Sequence, residues 1–433
     1  MTRKPRALIF APAFAPVFFS EALVNSKLAL AMLDAGWDLT IFTVATTGGD
    51  AYANDWSEPW HRLRALQFSV SSPAPTGRLG RALTIARNVM AVRHPVSGSL
   101  WAETVARQAL ALHRERPFDI MLSRSTSCCA HLPALLLRRE LNIPWIANWN
   151  DPPGHRFPAP YSYPLSPVHR FFKDRYLRAA AQMADVNSFP SRQLMDYLAA
   201  PLGLKRGGRS VVLPHVGLGR YGRAAVLQPG RFRISHAGNL SRERDPSHFL
   251  RALAWLVKAH PLVQIEFEII GQMDESFAPL ISELGLDTVV MRTPGLPFLD
   301  CLHRLEEADA LLLIEAPCDQ GIFFPSKLVD YAEVGRPVLA LSPAGGVVED
   351  LIRTYRLGEF APVGQDDAIR SALDSLFTAC QTTEPTKYHF AAIRDYIAPQ
   401  RLVAELAAVA GFAVGADAAR QERDLAASMV NGE

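Results

Sequence analysis

The sequence predicts two α/β domains in tandem, each built on a doubly wound parallel sheet of the Rossmann-like type. The chain has 433 residues, more than one ordinary hydrophobic core accommodates. Short apolar runs alternate with helical patterns in both halves, as in successive βαβ units. The alternation stops over residues 214–231, where glycines are frequent, and then restarts. The expected organisation is an N-terminal domain at 1–215, a linker at 216–231, a C-terminal domain at 232–395, a helix at 396–412 that can pack back on the first domain, and a mobile tail at 413–433.

The composition is that of a folded protein, with 49% hydrophobic and 20% charged residues. A net charge of +2 argues against nucleic acid as the main partner. Five cysteines without C-x-x-C spacing suit reduced thiols in a cytoplasm rather than a disulfide framework or a zinc site. The chain also contains no D-x-D and no His/Cys cluster, so no metal site is expected.

The N-terminus allows two interpretations. Arg3, Lys4 and Arg6 before the apolar run Ala7–Phe19 imitate a secretory signal. The same run also fits a buried strand followed by a loop and an amphipathic helix, and this unbroken pattern favours the strand. Nowhere do about 18 apolar residues follow one another, so we expect no transmembrane helix and a cytoplasmic location.

In the first half, short apolar runs predict strands and periodic stretches predict helices. The strands are Ala7–Ala11, Leu39–Val44, Ile120–Ser123, Trp145–Asn148, Val186–Phe189 and Val211–Leu213, and the helices lie near 78–116, 131–139 and 168–184.

In the second half the same criteria apply. The strands are Phe232–His236, Ile265–Ile270, Val289–Arg292, Ala310–Ile314 and Val338–Leu341, and the helices are His248–Ala259, Phe277–Leu284, Leu299–Ala308, Lys327–Val334, 347–354, 366–379 and 399–412.

Gly217, Gly219 and Gly222 form a G-x-G-x-x-G pattern, which in a βαβ unit marks a dinucleotide site. Here no helix follows, because Pro229–Gly230 and a new strand come about eight residues later. We therefore interpret the glycines as linker residues, which removes the main argument for a nicotinamide or flavin dehydrogenase.

The most informative segment runs from Ile314 to Pro337. A strand ends at Ile314, and Pro325 and Ser326 are typical helix-start residues, so the loop between them lies at the carboxyl edge of a parallel sheet. The helix start offers N–H groups to a diphosphate, and Lys327 adds a positive charge. Asp330 lies one turn further on, where it can accept ribose hydroxyls. A solvated Lys327–Asp330 pair on the helix surface is the open alternative.

Pro325-Ser326-Lys327-Leu328-Val329-Asp330-Tyr331-Ala332-Glu333-Val334-Gly335-Arg336-Pro337-Val338 resembles the donor-site helix of retaining, family-4-like glycosyltransferases of the GT-B fold. That resemblance implies two Rossmann-like domains facing each other across a cleft, with Asp330 on the nucleotide ribose. The family usually has Glu at this position and a second acid eight residues earlier. The earlier position here is Ile322, so that acid is absent unless Asp319 or Glu315 replaces it.

Ile234–Leu240 resembles the strand and glycine loop that open the family's C-terminal domain, with Gly238 and Asn239 at the donor. The family places a basic residue shortly afterwards against the donor diphosphate, and Arg244 is the best match, with Arg242 second. An arginine suits this role because its planar fork pairs with phosphate oxygens. A charged loop in water is the alternative. Gly271 resembles the end of the strand beneath the base.

The N-terminal half matches the family more loosely. The Gly-Gly of the family's first loop is replaced by Phe18-Phe19-Ser20-Glu21. The resemblance places Phe19, Glu21 and Asn150 on the acceptor side and Asp151 against an acceptor hydroxyl. Asp151 also fits a turn into Pro152, and the two interpretations stay open.

The resemblance implies sugar transfer from a nucleotide-sugar co-substrate to a sugar or lipid-linked acceptor, in bacterial cell-surface polysaccharide assembly, without metal or cofactor. Arg244 and Lys327 stabilise the leaving diphosphate, which itself takes the acceptor proton. A sugar-nucleotide epimerase or hydrolase, or a degenerate sugar-nucleotide-binding or scaffold protein, remains the alternative.

Between His61 and Arg116 nine arginines face only two acids, and apolar residues interleave with them. Residues 78–116 are therefore either a helix on the inner membrane surface that brings the enzyme to a lipid-linked acceptor or an ordinary surface helix.

Overall fold

The computed structural model of the chain describes residues 4–17, 19–45, 56–71, 77–80, 82–83, 86, 98–125, 129–204, 209–219, 230–381 and 387–411. The predictions for Phe18, Gly222, most of 81–97 and the tail at 413–433 lie outside these residues.

The N-terminal domain is a seven-stranded, wholly parallel sheet in the order β3-β2-β1-β4-β5-β6-β7. The strands are β1 Arg6–Phe10, β2 Asp38–Val44, β3 Gln67–Val70, β4 Ile120–Ser125, β5 Trp145–Trp149, β6 Val186–Phe189 and β7 Ser210–Val212. The helices are α1 Ser20–Asp34, α2 Ser99–Glu115, α3 Leu132–Leu137, α4 Pro167–Met183 and α5 Arg192–Leu202.

The C-terminal domain is a six-stranded parallel sheet in the order β10-β9-β8-β11-β12-β13. The strands are β8 Arg231–Ala237, β9 Gln264–Ile270, β10 Val290–Thr293, β11 Ala310–Ile314, β12 Val338–Ser342 and β13 Gly358–Pro362. The helices are α6 Ser247–Ala259, α7 Ala278–Glu283, α8 Phe298–Glu306, α9 Ser326–Val334, α10 Val347–Tyr355, α11 Asp366–Gln381, α12 Ala391–Tyr396 and α13 Pro399–Val409.

The central strands are buried, as their largely apolar sequences predict. β1, β4 and β11 are buried along their whole length, as expected of strands covered by helices on both faces. β1 lies between β2 and β4, with Ile9 opposite Ile41 and Leu122, which places Ala7–Ala11 inside the first sheet.

Four elements are absent from the sequence prediction: β3, β13, α5 and α12. β3 is a short edge strand with two exposed side chains, and β13 begins at Gly358 and ends at Pro362, which are turn residues in a sequence. Gly358 is required because a Cβ there would lie 1.9 Å from the Val338 carbonyl oxygen. Of the helix predicted near 78–116, Ser99–Glu115 form α2, and the described residues 77–80, 82–83 and 86 are helical as well.

The two sheets share a central apolar layer. α1 of the first domain packs against α9 of the second and against the C-terminal α13. The layer joins Leu28 and Met32 of α1 to Leu328 of α9 and to Leu402 and Leu406 of α13. The chain thus returns to the N-terminal domain after the C-terminal domain is complete.

In both sheets the strand order reverses beside the first strand, between β1 and β4 and between β8 and β11. Ligands bind at such switch points, outside the carboxyl ends of the strands. The polar residues of interest follow these strand ends in both domains.

Candidate functional site

The side predicted to bind the donor, called the donor face below, begins where β8 and β9 end. Gly238 has φ +114° and Gly271 has φ +141°, conformations that favour glycine. The Gly238 N–H donates to the Ile270 carbonyl at 2.8 Å. A Cβ on Gly271 would lie 2.5 Å from the Gly238 carbonyl oxygen. The two loops therefore touch backbone to backbone, and their glycines form a floor without side chains at the ends of β8 and β9. The exposed Asn239 binds the Gln272 N–H through its side-chain oxygen at 3.1 Å, so it holds these loops together.

Lys327 lies over this floor. It is the second residue of α9, which starts after Pro325 at Ser326 without a side-chain cap. A Cβ on Gly238 would lie 2.9 Å from Lys327 Nζ, so the ammonium group lies directly on the glycine loop. Lys327 Nζ also lies 3.5 Å from Nε2 of the buried His236. Burial and the neighbouring Arg244 lower the pKa of Lys327 to about 8.

His236 was not predicted as a functional residue. Its Nδ1 lies 2.9 Å from the Leu312 carbonyl oxygen, which makes Nδ1 the donor and leaves Nε2 to accept from Lys327. Burial and Lys327 hold the pKa of His236 well below its usual value, so the ring is neutral. The neutral ring therefore positions Lys327 without adding charge, and the only signal in the sequence was a histidine inside an apolar strand.

Arg244 and Arg242 are both exposed, but they interact with different groups. Arg244 acts on the titration of Asp151, Glu315 and Lys327, which places its charge in the cleft. The Arg242 side chain is 78% exposed and pairs with Asp274 at 3.8 Å. The preference for Arg244 over Arg242 at a diphosphate stays a prediction.

Asp151 and Glu315 face these cations from the two domains. Burial, with Glu315 second, raises the pKa of Asp151 to about 6, and Arg244 opposes the rise. Burial also raises the pKa of Glu315, against Arg244 and Lys327. These four groups from the two domains thus interact electrostatically, and both interpretations of Asp151, acceptor contact and turn residue, stay open.

Asp330 has a partner that the sequence did not suggest. Its buried carboxylate forms an ion pair with Lys27 of α1, and Lys27 is itself 1% exposed. The interpretation of Asp330 as half of a solvated surface pair is therefore wrong. The contact of Asp330 with a ribose stays a prediction. The signal for Lys27 was the polar run Asn25-Ser26-Lys27 inside an otherwise apolar helix.

Ile322, at the position of the family's first acid, packs into the core of the N-terminal domain. Its carbonyl oxygen accepts a hydrogen bond from Ser191 Oγ at 3.3 Å. The next two residues continue the contact, because Phe323 meets Phe157 edge to face and Phe324 packs on His215. This segment therefore joins the two domains instead of supplying an acid.

Of the two proposed substitutes for that acid, only Glu315 faces the cations. Asp319 is exposed, and its backbone N–H donates to the Ala159 carbonyl at 3.1 Å.

The acceptor face is a buried polar network. Asn150 donates to Glu21 Oε1 at 2.6 Å, and Asn25 donates to the same oxygen at 3.3 Å. Arg124 Nε donates to Asn25 Oδ1 at 2.7 Å. Burial, with Asp151 second, raises the pKa of Glu21 to about 8, so this carboxyl is mostly protonated at neutral pH. Phe19 precedes α1 as its N-cap residue and is partly exposed. Lys27 and Arg124 are functional candidates that the sequence prediction lacks.

The linker glycines serve packing. The buried carboxylate of Glu333 accepts from the Gly219 N–H, and a Cβ on Gly217 would lie 2.6 Å from Glu333 Oε1. No helix follows within the described part of the linker, which ends at Gly219.

Among the described residues, no three His, Cys, Asp or Glu side chains are grouped so as to hold a metal ion. No described helix combines the length and apolarity needed to cross a membrane.

Comparison with known proteins matches the N-terminal domain to a protein family. Residues 23–215, most of the N-terminal domain, match the family model of the glycosyl transferase 4-like domain. Among curated protein sequences, none matches the chain.

Solved structures match over nearly the whole chain. Sucrose-phosphate synthase from Thermosynechococcus elongatus has 17% identity and a TM-score of 0.58, covering 98% of this chain and 100% of its own. A glycosyltransferase from Rickettsia africae has 12% identity and a TM-score of 0.61, covering 94% and 98%. WaaG, a glycosyltransferase involved in lipopolysaccharide biosynthesis, has 14% identity and a TM-score of 0.57, covering 86% and 90%.

At these identities the structural likeness concerns the fold. The predicted two-domain GT-B fold is confirmed. The chain thus has the GT-B fold, and its residues 23–215 match a glycosyl transferase 4-like domain, as the sequence resemblance indicated.

Proposed function

We propose that this protein transfers a sugar from a nucleotide-sugar donor to an acceptor hydroxyl, with retention of anomeric configuration. The observation that carries the proposal is the meeting of Arg244 and Lys327 at the β8 loop and the start of α9. A diphosphate placed there is neutralised by two cations and by the free N–H groups of the helix start. The glycine floor lets the ligand approach the backbone closely.

In the proposed reaction, the bond between the anomeric carbon and the diphosphate oxygen breaks while the acceptor oxygen bonds to that carbon. The acceptor proton passes to the departing phosphate. Arg244 and Lys327 stabilise the charge that develops on the leaving group, a preorganised electrostatic role. Asp151 accepts a hydrogen bond from the acceptor hydroxyl across the cleft, and Glu315 takes the place of the acid missing at Ile322.

The first experiment is a thermal-shift screen with UDP-, GDP-, ADP- and dTDP-sugars. We expect one base class to raise Tm, because ligand binding to the folded state stabilises it. The same screen on Arg244→Gln should lose the shift, whereas Arg242→Gln, exposed beside the cleft, should keep it. If no nucleotide sugar raises Tm, the donor site proposed here is refuted.

The proposed chemistry needs no metal, because the two cations take the part that a metal plays in other diphosphate sites. Transfer measured after treatment with EDTA, with and without added Mg²⁺ or Mn²⁺, tests this point directly. Unchanged turnover is the expected result, and restoration only by a metal would contradict it.

A sugar-nucleotide epimerase is the competing activity, since a UDP-N-acetylglucosamine 2-epimerase has the same fold, with 14% identity and a TM-score of 0.54 over 94% of this chain and 96% of its own. The glycosyl transferase 4-like match of the acceptor-side domain favours transfer. An epimerase changes the donor without an acceptor, so incubation with donor alone separates the two. A degenerate binder would instead bind the nucleotide in calorimetry and transfer to no acceptor of a panel.

We further propose a sugar or lipid-linked acceptor in bacterial cell-surface polysaccharide assembly, with the protein at the inner face of the membrane. The described half of the basic segment, α2, packs on its own sheet through Trp101 and Val105. The membrane proposal therefore rests on other residues. Leu79 and Leu83 are exposed, and so are Val168 and Phe171 of α4, where Arg170 and Lys173 supply positive charge.

Flotation with anionic and neutral liposomes tests the membrane contact. Phe171→Ser should reduce binding to anionic vesicles, because it removes an exposed apolar side chain beside basic residues. Leu262→Ser is the control, since Leu262 is 96% exposed on the C-terminal domain. Absence of the wild-type protein from both vesicle types would exclude the membrane.

A further inference from the structure

A partly enclosed cavity lies at the carboxyl edge of the first sheet, outside the donor site. Its space for water-sized groups is about 20 Å³, which is room for one small group rather than for a whole sugar. Its polar wall comes from the ends of β4, β5 and β6 and from the segment after β7: Arg124, Asn148, Asn150, Ser188 and His215. Its apolar wall comes from α1 and α13, so both the first helix and the returning C-terminal helix close it.

Arg124 is the unusual member of this wall. It is 8% exposed, and buried arginines are normally paired with a carboxylate. Arg233, the comparable buried arginine of the C-terminal domain, is paired with Glu266 at 2.8 Å. Among the described residues, Arg124 forms no ion pair, and its hydrogen bond goes to the neutral Asn25.

The surroundings leave the charge of Arg124 unbalanced. Glu21 is the acid that acts on it, and burial raises the pKa of Glu21 to about 8, so at neutral pH that carboxyl is mostly uncharged. His215 is also neutral, because burial, with Arg124 and Lys27, lowers its pKa to about 3. Lys27 is already paired with Asp330.

Two further polar atoms of the wall have no partner. The side-chain oxygens of Asn148 and Asn150 are buried without a hydrogen bond in the described structure. Buried polar atoms of this kind are costly unless a ligand or water supplies the missing bond. A group that bears negative oxygens for Arg124 and hydroxyls for the two amides satisfies the whole wall.

We propose that this cavity binds the anionic group of the acceptor, a phosphate or a carboxylate attached to a sugar or polyol, through Arg124. The acceptor part of this statement rests on the proposed function, whereas anion binding does not. Arg124 is then a specificity-determining residue on the acceptor side, next to Asn150 and the reacting cleft at Asp151.

Direct binding of inorganic phosphate is the first test. The background variant Arg244→Gln/Lys327→Met removes the donor-site cations, so that the remaining binding reports the cavity. We expect phosphate to raise Tm of this variant in a concentration-dependent manner, and Arg124→Gln added to it to weaken the apparent Kd by about tenfold or more. An equal shift with and without Arg124, or no shift in the background variant, would overturn the proposal.

The baseline stability of the same variants supplies a second readout. If Arg124 is kept for a ligand, Arg124→Gln leaves Tm unchanged or raises it in the absence of anion. Arg233→Gln is the matched control, because it leaves Glu266 without its ion-pair partner and should lower Tm. A loss of Tm in Arg124→Gln as large as that in Arg233→Gln would show a structural role and refute the anion site.

Binding measurements with further ligands distinguish the source of the anion. Glycerol 1-phosphate tests an acceptor phosphate, and glucuronate tests an acceptor carboxylate, each against glycerol or glucose as the uncharged control. In transfer assays, Arg124→Gln should raise KM for the charged acceptor with little change in kcat or in the KM for the donor. Phosphate binding at Arg124 without any nucleotide-sugar binding would refute the proposed function and leave the anion site intact.

Discussion

The C-terminal face of the cleft carries its charges on turns and at a helix start, whereas the N-terminal face buries them at the ends of strands. On the first, Lys327 and Arg244 lie over a glycine floor that brings no side chain of its own. On the second, Glu21, Arg124 and Asn150 form a network of side chains from α1, β4 and the end of β5.

The difference indicates two kinds of recognition. A glycine floor with cations suits a ligand that is the same in every turnover, such as a nucleoside diphosphate, because backbone geometry changes little between relatives. A network of buried side chains suits a ligand that varies, because each side chain can be exchanged. The following predictions test whether the faces differ in this way, from the largest expected effect to the smallest.

The largest effect is expected at the ion pair that joins the two faces. Asp330→Ala leaves the buried Lys27 without its carboxylate partner, and removal of one partner of such a pair typically costs about 3–5 kcal/mol. Chemical denaturation measures this loss. The double variant Lys27→Met/Asp330→Ala should recover most of it, since no charge is then left unpaired.

The double variant and Lys27→Met together test the ribose contact. If Asp330 also binds the donor, the stable double variant still binds nucleotide sugar weakly, whereas Lys27→Met alone keeps more of the binding. Full donor affinity in the double variant would leave Asp330 with only its contact to Lys27.

The second effect concerns the cations of the C-terminal face. Lys327→Met and Arg244→Gln should each lower kcat by about 10²–10³, or about 3–4 kcal/mol, if they stabilise the leaving diphosphate. Arg242→Gln is the matched control, because Arg242 points to solvent beside Asp274. Steady-state kinetics with a fixed acceptor measures all three. Equal losses in Arg242→Gln would mean that general charge, rather than position, matters.

The donor face followed from the sequence because its residues are contiguous. Pro325, Ser326, Lys327 and the glycine at 238 belong to single strand–loop–helix segments, and a local pattern carries them. The two-domain fold was predictable for the same reason, since apolar runs make up β11, most of β1 and the first half of β4. Edge strands such as β3 and β13 were missed because they are partly exposed or bounded by turn residues.

The resemblance placed Glu21 and Asn150 on the acceptor side, but the contacts of this face did not follow from the sequence, because its residues are far apart along the chain. Lys27 meets Asp330 across 303 residues, and Asn150 meets Glu21 across 129. Arg124 directly followed the predicted strand Ile120–Ser123, with no motif to mark it. Ile322 was recognised as the place of a missing acid, but its burial in the other domain depends on how the domains meet.

The third effect tests the glycine floor. Gly271→Ala should cost about 1–3 kcal/mol and weaken donor binding, because its Cβ would lie 2.5 Å from the Gly238 carbonyl at φ +141°. Gly285→Ala is the control with φ +68° and no atom within 4 Å of the added Cβ, so it should show backbone strain alone. Thermal denaturation gives the cost, and calorimetry with nucleotide sugar gives the binding. If the two variants behave alike, the close approach of β8 and β9 has no part in donor binding.

The smallest effect, taken per pH unit, is a pH dependence that belongs to the N-terminal face. The pKa of Glu21 is raised by burial from 4.5 to about 8 in the folded protein, so the folded state holds its proton more tightly than the unfolded chain does. Its contribution to stability is therefore fully present below about pH 4.5 and is lost as the pH rises towards 8. For one carboxyl the slope is at most about 1.4 kcal/mol per pH unit.

Glu21→Gln keeps an oxygen for Asn150 and removes the titration. Denaturation curves at pH 5 and pH 8.5 should show the variant equal to or less stable than the wild type at the lower pH and more stable at the higher pH. Glu405→Gln, which alters a surface pair with Arg401 on α13, serves as the control and should keep the wild-type slope. Because Asp151 has its pKa raised in the same direction, to about 6, adding Asp151→Asn to Glu21→Gln should remove a further part of the slope. An unchanged slope in both variants would mean that the carboxyls of the acceptor face are ionised in the folded protein, and the contrast between a charged donor face and a mostly neutral acceptor face would then be lost.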